Sequence, residues 1–301
     1  MKVLITGGTG LIGSALVARL QDRYQVTVLS RTPQRAQQQL GKKVHVLKSL
    51  DDIADLSAYY AVINLQGEGI ADKRWSTRQK LRLEQSRWLI TRQLTERIQA
   101  CAQPPEVFIS GSAIGIYGPQ GAEPVTEASS IQADDFAHHL CAEWERLALA
   151  ADSEKTRVCV VRTGVVLAEK GGALEKMLPP YLLGLGGPIG KGEFGFSWIH
   201  LDDIVGIFEF LLEQESCRGI YNGTAPEPVA QRDFSAAIAK VLRKSHFMRV
   251  PPVLLKLVFG EMAEMLTKGQ FVLPDRIRSA GYSFRYPQVK EALRACLLPP
   301  S

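Results

Sequence analysis

The sequence predicts an α/β protein, a doubly wound parallel sheet followed by a smaller carboxy-terminal lobe. Three observations carry that expectation. Short apolar strands alternate with helical segments through the first half of the chain, a glycine-rich turn joins the first strand to the first helix, and the texture changes after Pro251-Pro252. Strands are expected at Val3–Thr6, Gln25–Ser30, Val44–Leu47, Tyr59–Leu65, Val107–Ser110 and Val158–Arg162. Apolar residues at helical spacing place helices over Leu11–Leu20, Gln34–Leu40, Thr77–Cys101 and Asp134–Ala151. Alternation of this kind gives a parallel sheet with helices on both faces. Strands with little polar interruption, such as Val158-Cys159-Val160-Val161, fit burial on both sides.

The second half is less regular. Glycines crowd Gly171 to Gly195 and suggest loops approached closely by other backbone or by a ligand. Asp202-Asp203 is placed to cap a helix over Ile204–Glu213, and short helical pieces are expected at Val253–Leu266, Pro274–Ser279 and Gln288–Leu297. The expected organisation is one main domain over 1–248, with a substrate lobe interleaved at about 168–200 and 220–245, and a small module over 249–301.

With 301 residues, 46% of them apolar, the chain can bury a full core without disulfides or metal. Its net charge of +5 is spread thinly, with no run of five like charges, so neither a nucleic acid nor a membrane is expected as partner. The five cysteines are odd in number and show no C-x-x-C or zinc-finger spacing, so no metal site is expected and reduced thiols fit a cytoplasmic protein. MKVLIT supplies four apolar residues before the glycines, too few for a signal peptide, and no apolar stretch reaches the roughly 20 residues that span a bilayer.

The most informative segment is Thr6-Gly7-Gly8-Thr9-Gly10-Leu11-Ile12-Gly13. A dinucleotide needs a tight turn, bare backbone beside its pyrophosphate, and a helix packed close to the sheet, and glycines supply all three. The free N–H groups at the helix start then face the anion. Strand–turn–helix context makes this a Rossmann-like cofactor cradle. NADP is expected over NAD. The end of the second strand carries Ser30-Arg31 with Arg35 nearby, and no acid follows until Asp51. An arginine there suits a 2′-phosphate, whereas an acid would hold a free ribose hydroxyl.

Together these residues resemble the short-chain dehydrogenase/reductase superfamily, in its extended branch of epimerases and dehydratases. Further segments narrow the likeness: Val62-Ile63-Asn64-Leu65-Gln66-Gly67-Glu68, Lys73-Arg74-Trp75, Ser86-Arg87, Gly164-Val165-Val166-Leu167, Leu183 to Gly190 and Trp198-Ile199-His200. They are similar to an atypical subgroup of epimerase-family proteins that carries a small carboxy-terminal domain of unknown function. The resemblance covers essentially the whole chain and implies a Rossmann fold and NADP(H). It implies that Gly7, Thr9, Gly10, Leu11, Ile12 and Gly13 hold the pyrophosphate and that Ser30 and Arg31 hold the 2′-phosphate. It also implies that Leu65, Gln66 and Gly67 line the adenosine side, that Arg87 reaches a phosphate, and that the Val166 backbone meets the nicotinamide amide. Gln66 stands where the family has alanine.

The superfamily's proton-transfer pair, Y-x-x-x-K, is missing. Setting Glu145 at the family's glutamate puts Ala137 and Cys141 at the tyrosine and lysine positions, and Phe136 to Ala151 contains neither residue. Ser112, near the family's serine, and Tyr117 are the remaining catalytic candidates. His138 and His139 lie close to the missing pair. His200 reads as a strand-end histidine, with an acid of the following Asp202-Asp203 as the helix cap. Arg162, Trp198, Glu68 and Trp75 are expected around the site, and the Gly184–Gly190 loop is expected as a lid. Two functions stay open: an NADP(H)-dependent epimerase or reductase acting on an unidentified small carbonyl or nucleotide-sugar-like molecule, and a non-catalytic NADPH sensor or partner-binding protein.

Overall fold

The structure, a computed structural model, describes residues 1–298. Seven parallel strands form the central sheet: β1 (Lys2–Thr6), β2 (Gln25–Leu29), β3 (His45–Leu47), β4 (Ala61–Asn64), β5 (Val107–Ala113), β6 (Arg157–Thr163) and β7 (Gly219–Gly223). Their spatial order is β7-β6-β5-β4-β1-β2-β3, with crossovers that reverse direction between β1 and β4. This is the doubly wound Rossmann arrangement, whose ligand crevice lies at the carboxyl ends of the strands on either side of that reversal.

Strand alternation divides the core into two layers. Val3, Ile5, Ile63, Ile109, Cys159 and Val161 face one side, where helices α1 (Leu11–Leu20) and α6 (Leu201–Glu213) cover them. Leu4, Val62, Phe108, Val158 and Val160 face the other. There they meet α3 (Thr77–Ala100) and α4 (Phe136–Leu149). The short α2 (Pro33–Leu40) begins with a proline, whose fixed φ suits a first helical turn.

Three features depart from the sequence expectations. The stretch expected as loops contains a helix, α5 (Gly172–Leu182), which starts on two left-handed glycines and holds Pro179-Pro180 inside it. β7 and α7 (Gln231–Leu242) were not marked by pattern alone. The α6 cap is His200 itself, whose Nδ1 accepts from the Asp202 N–H at 3.1 Å.

Asp202 and Asp203 instead serve the carboxy-terminal segment. Asp203 accepts from the backbone N–H groups of Arg285 and Tyr286, and the Tyr286 ring lies 3.9 Å from that of His200. This segment contains α8 (Pro252–Phe259), α9 (Ala263–Thr267), α10 (Asp275–Ser279) and α11 (Val289–Leu297). Ala292, Leu293 and Cys296 of α11 share a core with Phe234 and Ile238 of α7 and with Trp198.

A short strand, Phe271–Val272, runs parallel to Pro124–Val125. Around it, Ser197 donates to the Gln270 carbonyl, Thr224 to the Val272 carbonyl and Asn222 to the Leu273 carbonyl. Among the described residues no helix is long and apolar enough to cross a membrane.

Candidate functional site

The turn after β1 is built for contact without side chains. Gly7 has φ of +69°, and a Cβ there would lie 2.5 Å from the Leu65 carbonyl oxygen. A Cβ on Gly13 would lie 2.2 Å from the Gly7 carbonyl, so α1 packs directly on the turn. Gly10 caps α1 in an extended conformation and offers no side-chain acceptor. The first N–H groups of the helix, at Leu11 and Ile12, therefore keep their hydrogen-bonding capacity for an anion. Thr9 and Gly10 are exposed beside them.

The Leu65 N–H donates to the Thr6 carbonyl and joins the ends of β1 and β4. Beneath this junction runs a buried polar chain that the sequence reading missed: Thr6 donates to Asn64, and Asn64 donates to Thr91 and Ser110. Its signal was the single polar residue closing each apolar strand. At the tip of β2, Ser30 donates its N–H to the Leu47 carbonyl, and its hydroxyl accepts from Thr32 N–H. Arg31 and Arg35 are exposed there.

Arg87 projects from α3 to the loop after β4, close enough that a Cβ on Gly67 would lie 2.9 Å from its Cζ. It donates to the carbonyls of Leu83 and Glu68 and lies over the Trp144 ring at 5.2 Å. Those partners are neutral, and burial pushes its pKa below the ordinary arginine range. A shielded cation held by carbonyls suits an incoming anion. Val166, in the short strand Val165–Leu167, meets the same place from the other side. The start of α5 packs on both Val166 and Leu11, since a Cβ on Gly172 would lie 3.6 Å from the Val166 oxygen and 2.9 Å from Leu11 Cδ2. The structure thus gathers the turn, the β4 loop, Arg87 and Val166 around the ends of β1 and β4.

Ser112 and Tyr117 belong to a different, closed arrangement. Ser112 donates to Glu145 at 2.7 Å, and Arg162 pairs with both carboxylate oxygens of Glu145 at 2.8 Å. Arg162 also donates to the Tyr117 hydroxyl at 2.9 Å, and that hydroxyl donates to Asn222 at 2.8 Å. All five side chains are buried. Burial raises the Tyr117 pKa, opposed by Arg162. For Arg162 burial disfavours the charge, but the Glu145 contacts outweigh it and the net shift is upward. Arg162, expected as a pocket wall, is the centre of this network, and Trp198 is fully buried in the core with its indole donating to the Glu227 carbonyl.

Ala137 and Cys141 are both buried on α4, facing the Ser112 region. Burial pushes the Cys141 thiol up to about 12, which keeps it protonated and inert as a nucleophile. His138 Nδ1 is tied to the Ile116 carbonyl at 2.7 Å, and His139 pairs with Asp134 at the surface. Trp75 donates to the Ile70 carbonyl and packs edge-on against Phe136. Glu68 contributes its carbonyl to Arg87. Asn222 escaped the sequence reading because β7 did; the flanking glycines of Gly219-Ile220-Tyr221-Asn222-Gly223 hid a strand. A cavity of about 410 Å³ lined by Glu127, Ile220 and Arg276 lies at the edge strand, where Glu127 accepts from the Asn222 N–H at 2.8 Å.

A doubly wound sheet with a glycine cradle at its crevice defines a dinucleotide-binding Rossmann protein, and the chain belongs to the NAD dependent epimerase/dehydratase family, whose model matches residues 3–222. Residues 250–296 match a domain of unknown function, DUF1731. The chain is 37% identical over 298 residues to the mouse (Mus musculus) epimerase family protein SDR39U1, covering 98% of this chain and 99% of that protein. It is 36% identical to the chloroplastic SDR39U1 homolog of Arabidopsis thaliana, covering 99% and 87% of the two chains. Among solved structures, the human epimerase family protein SDR39U1 (isoform 2) with NADPH superposes at a TM-score of 0.90, with 35% identity and 98% and 99% coverage.

Proposed function

We propose that this protein binds NADP(H) and acts as an epimerase- or reductase-like oxidoreductase on a small carbonyl or nucleotide-sugar-like molecule. The observation that carries the cofactor reading is the cradle: at Gly7 and Gly13 a single methyl would strike backbone, and the helix start between them has no side-chain cap. NADPH in the human relative's structure supports it. In this reading Gly7, Thr9, Gly10, Leu11, Ile12 and Gly13 hold the pyrophosphate through backbone. Ser30 and Arg31 hold the 2′-phosphate, Leu65, Gln66 and Gly67 border the adenosine side, Arg87 meets a phosphate or ribose oxygen, and the Val166 backbone orients the nicotinamide amide. The bound cofactor supplies hydride chemistry at its nicotinamide ring. A cytoplasmic location belongs to the same reading, supported by five unpaired cysteines.

Proton handling falls to Ser112 and Tyr117, linked through Glu145 and Arg162. Both hydroxyls are donated inward, so turnover requires Ser112 to leave Glu145 and turn to the substrate oxygen. A second reading, an NADPH sensor without turnover, is favoured by the absence of the Tyr/Lys pair at Ala137 and Cys141.

Calorimetric titration tests the cofactor reading. NADPH is expected to bind ten- to a hundredfold more tightly than NADH, as a charged hydrogen bond of about 1.5–3 kcal/mol dictates. Arg31→Ala should erase the difference; equal affinities in the native protein would remove the reading. Assay of NADPH oxidation with ketones, aldehydes and nucleotide sugars separates the two functions. Turnover lost in Ser112→Ala identifies an enzyme, and silence beside tight NADPH binding identifies the sensor.

A further inference from the structure

We propose that the rim formed by residues 182–185 and 247–257 is a docking surface for an anionic lipid bilayer. Of thirteen large apolar side chains exposed among the described residues, eight lie in these two short stretches. Leu183, Phe247, Val253 and Leu257 are each at least 71% exposed. The stretches are one surface: Val250 bridges Ile189, a Cβ on Gly187 would strike the Met248 carbonyl, and the Pro252 ring rests by Gly190. None of the described side chains of α8 is buried. Monomeric proteins rarely expose so much contiguous apolar surface without a partner for it.

Charge selects the occupant. Between Asp233 and Glu261 the chain has no acid but carries Lys240, Arg243, Lys244, Arg249 and Lys256, all exposed. The ion pairs bordering the stretch use Arg232, Lys80 and Lys268, and these five cations are unpaired among the described residues. Apolar tips flanked by cations suit the headgroup–acyl boundary of a bilayer, the tips entering the hydrocarbon edge and the cations meeting anionic headgroups. A second copy seated two-fold on the same rim would bring like charges together. Nucleic acid could stack on Phe247 alone and would leave the seven other apolar side chains of the rim without partners. The sequence expectation of no membrane partner rested on the lack of a like-charge run; here the cations are interleaved with apolar residues, which hides them from that criterion.

The test is flotation of the full-length protein, with NADPH present, on phosphatidylcholine vesicles with and without phosphatidylglycerol. Binding to the anionic vesicles is expected to be at least about tenfold stronger and to weaken with added salt. The double variant Phe247→Ser, Leu257→Ser should lose it, and so should Arg249→Glu, Lys256→Glu, each with NADPH affinity unchanged as proof of folding. Absence of vesicle binding, equal binding to neutral vesicles, or full binding by the serine variant would overturn the proposal. So would self-association of the native protein, in sedimentation velocity, that the serine variant abolishes, since the rim would then be a contact between copies.

Discussion

The cradle after β1 and the network around Arg162 of β6 lie at the carboxyl ends of one sheet, with β4 and β5 between them, and treat their polar groups in opposite ways. In the cradle, backbone donors are left facing outward and side chains are excluded by geometry. In the network, every hydroxyl, amide and charge is matched within the protein, down to the bidentate Arg162–Glu145 pair. The contrast separates polar groups kept open for a ligand from polar groups spent inside the protein. Recognition of a ligand requires donors with no internal partner, whereas hydroxyls spent on internal partners must be released before they can act on anything else.

Unbalancing the network is expected to have the largest effect. Glu145→Ala leaves a guanidinium buried without its carboxylate and should cost about 3–5 kcal/mol, read from the urea midpoint. Replacing Glu145 and Arg162 together by methionine should recover much of that loss, because no charge is then stranded. In the cradle the expected damage is to binding. Gly13→Ala forces α1 off the turn and should weaken NADPH by about a hundredfold, equivalent to about 2.7 kcal/mol, in calorimetric titration. Arg87→Met should weaken NADPH and NADH alike, by about tenfold, whereas Arg31→Ala acts on NADPH alone. That pair of results would separate a phosphate common to both cofactors from the one that distinguishes them.

The smallest effect appears only in alkali. An unfolded cysteine ionises near 9.0, and burial holds Cys141 protonated to about 12. Between those values the unfolded chain has released a proton that the folded chain keeps, so this contribution is complete below pH 9 and declines as pH rises to 12. Cys159 and Cys296, pushed up to about 12 by burial as well, act in the same direction. Thermal melts from pH 7 to 10 should show the decline, with Cys141→Ala shallower by on the order of 1 kcal/mol at pH 10.

The first four strands and their helices were legible because each carries an apolar run or a helical period bounded by glycine or a polar cap. The cradle was legible for a stronger reason: its glycines sit where any side chain would collide with Leu65 or Gly7. What stayed hidden depends on long-range contact. α5 carries two internal prolines and begins on left-handed glycines, so local propensity argues against it while packing on Leu11 and Val166 secures it. Ser112 and Tyr117 could be singled out by their place at and just after the end of β5, but the Glu145, Arg162 and Asn222 that occupy their hydroxyls come from 33 to 105 residues away. Sequence pattern assigns the capping role to Asp202-Asp203; that His200 takes it, and that Asp203 anchors Arg285 and Tyr286, depends on contacts 82 and 83 residues apart.

The strand at Phe271–Val272 bears on how the chain is made. Among the described residues Ser197, Asn222 and Thr224 donate to Gln270, Leu273 and Val272, so the chain through Thr224 leaves the ribosome with these three donors still open to water. Burial of these donors waits for the tail, and a polypeptide cut short before Gln270 should melt at a lower temperature than the full chain.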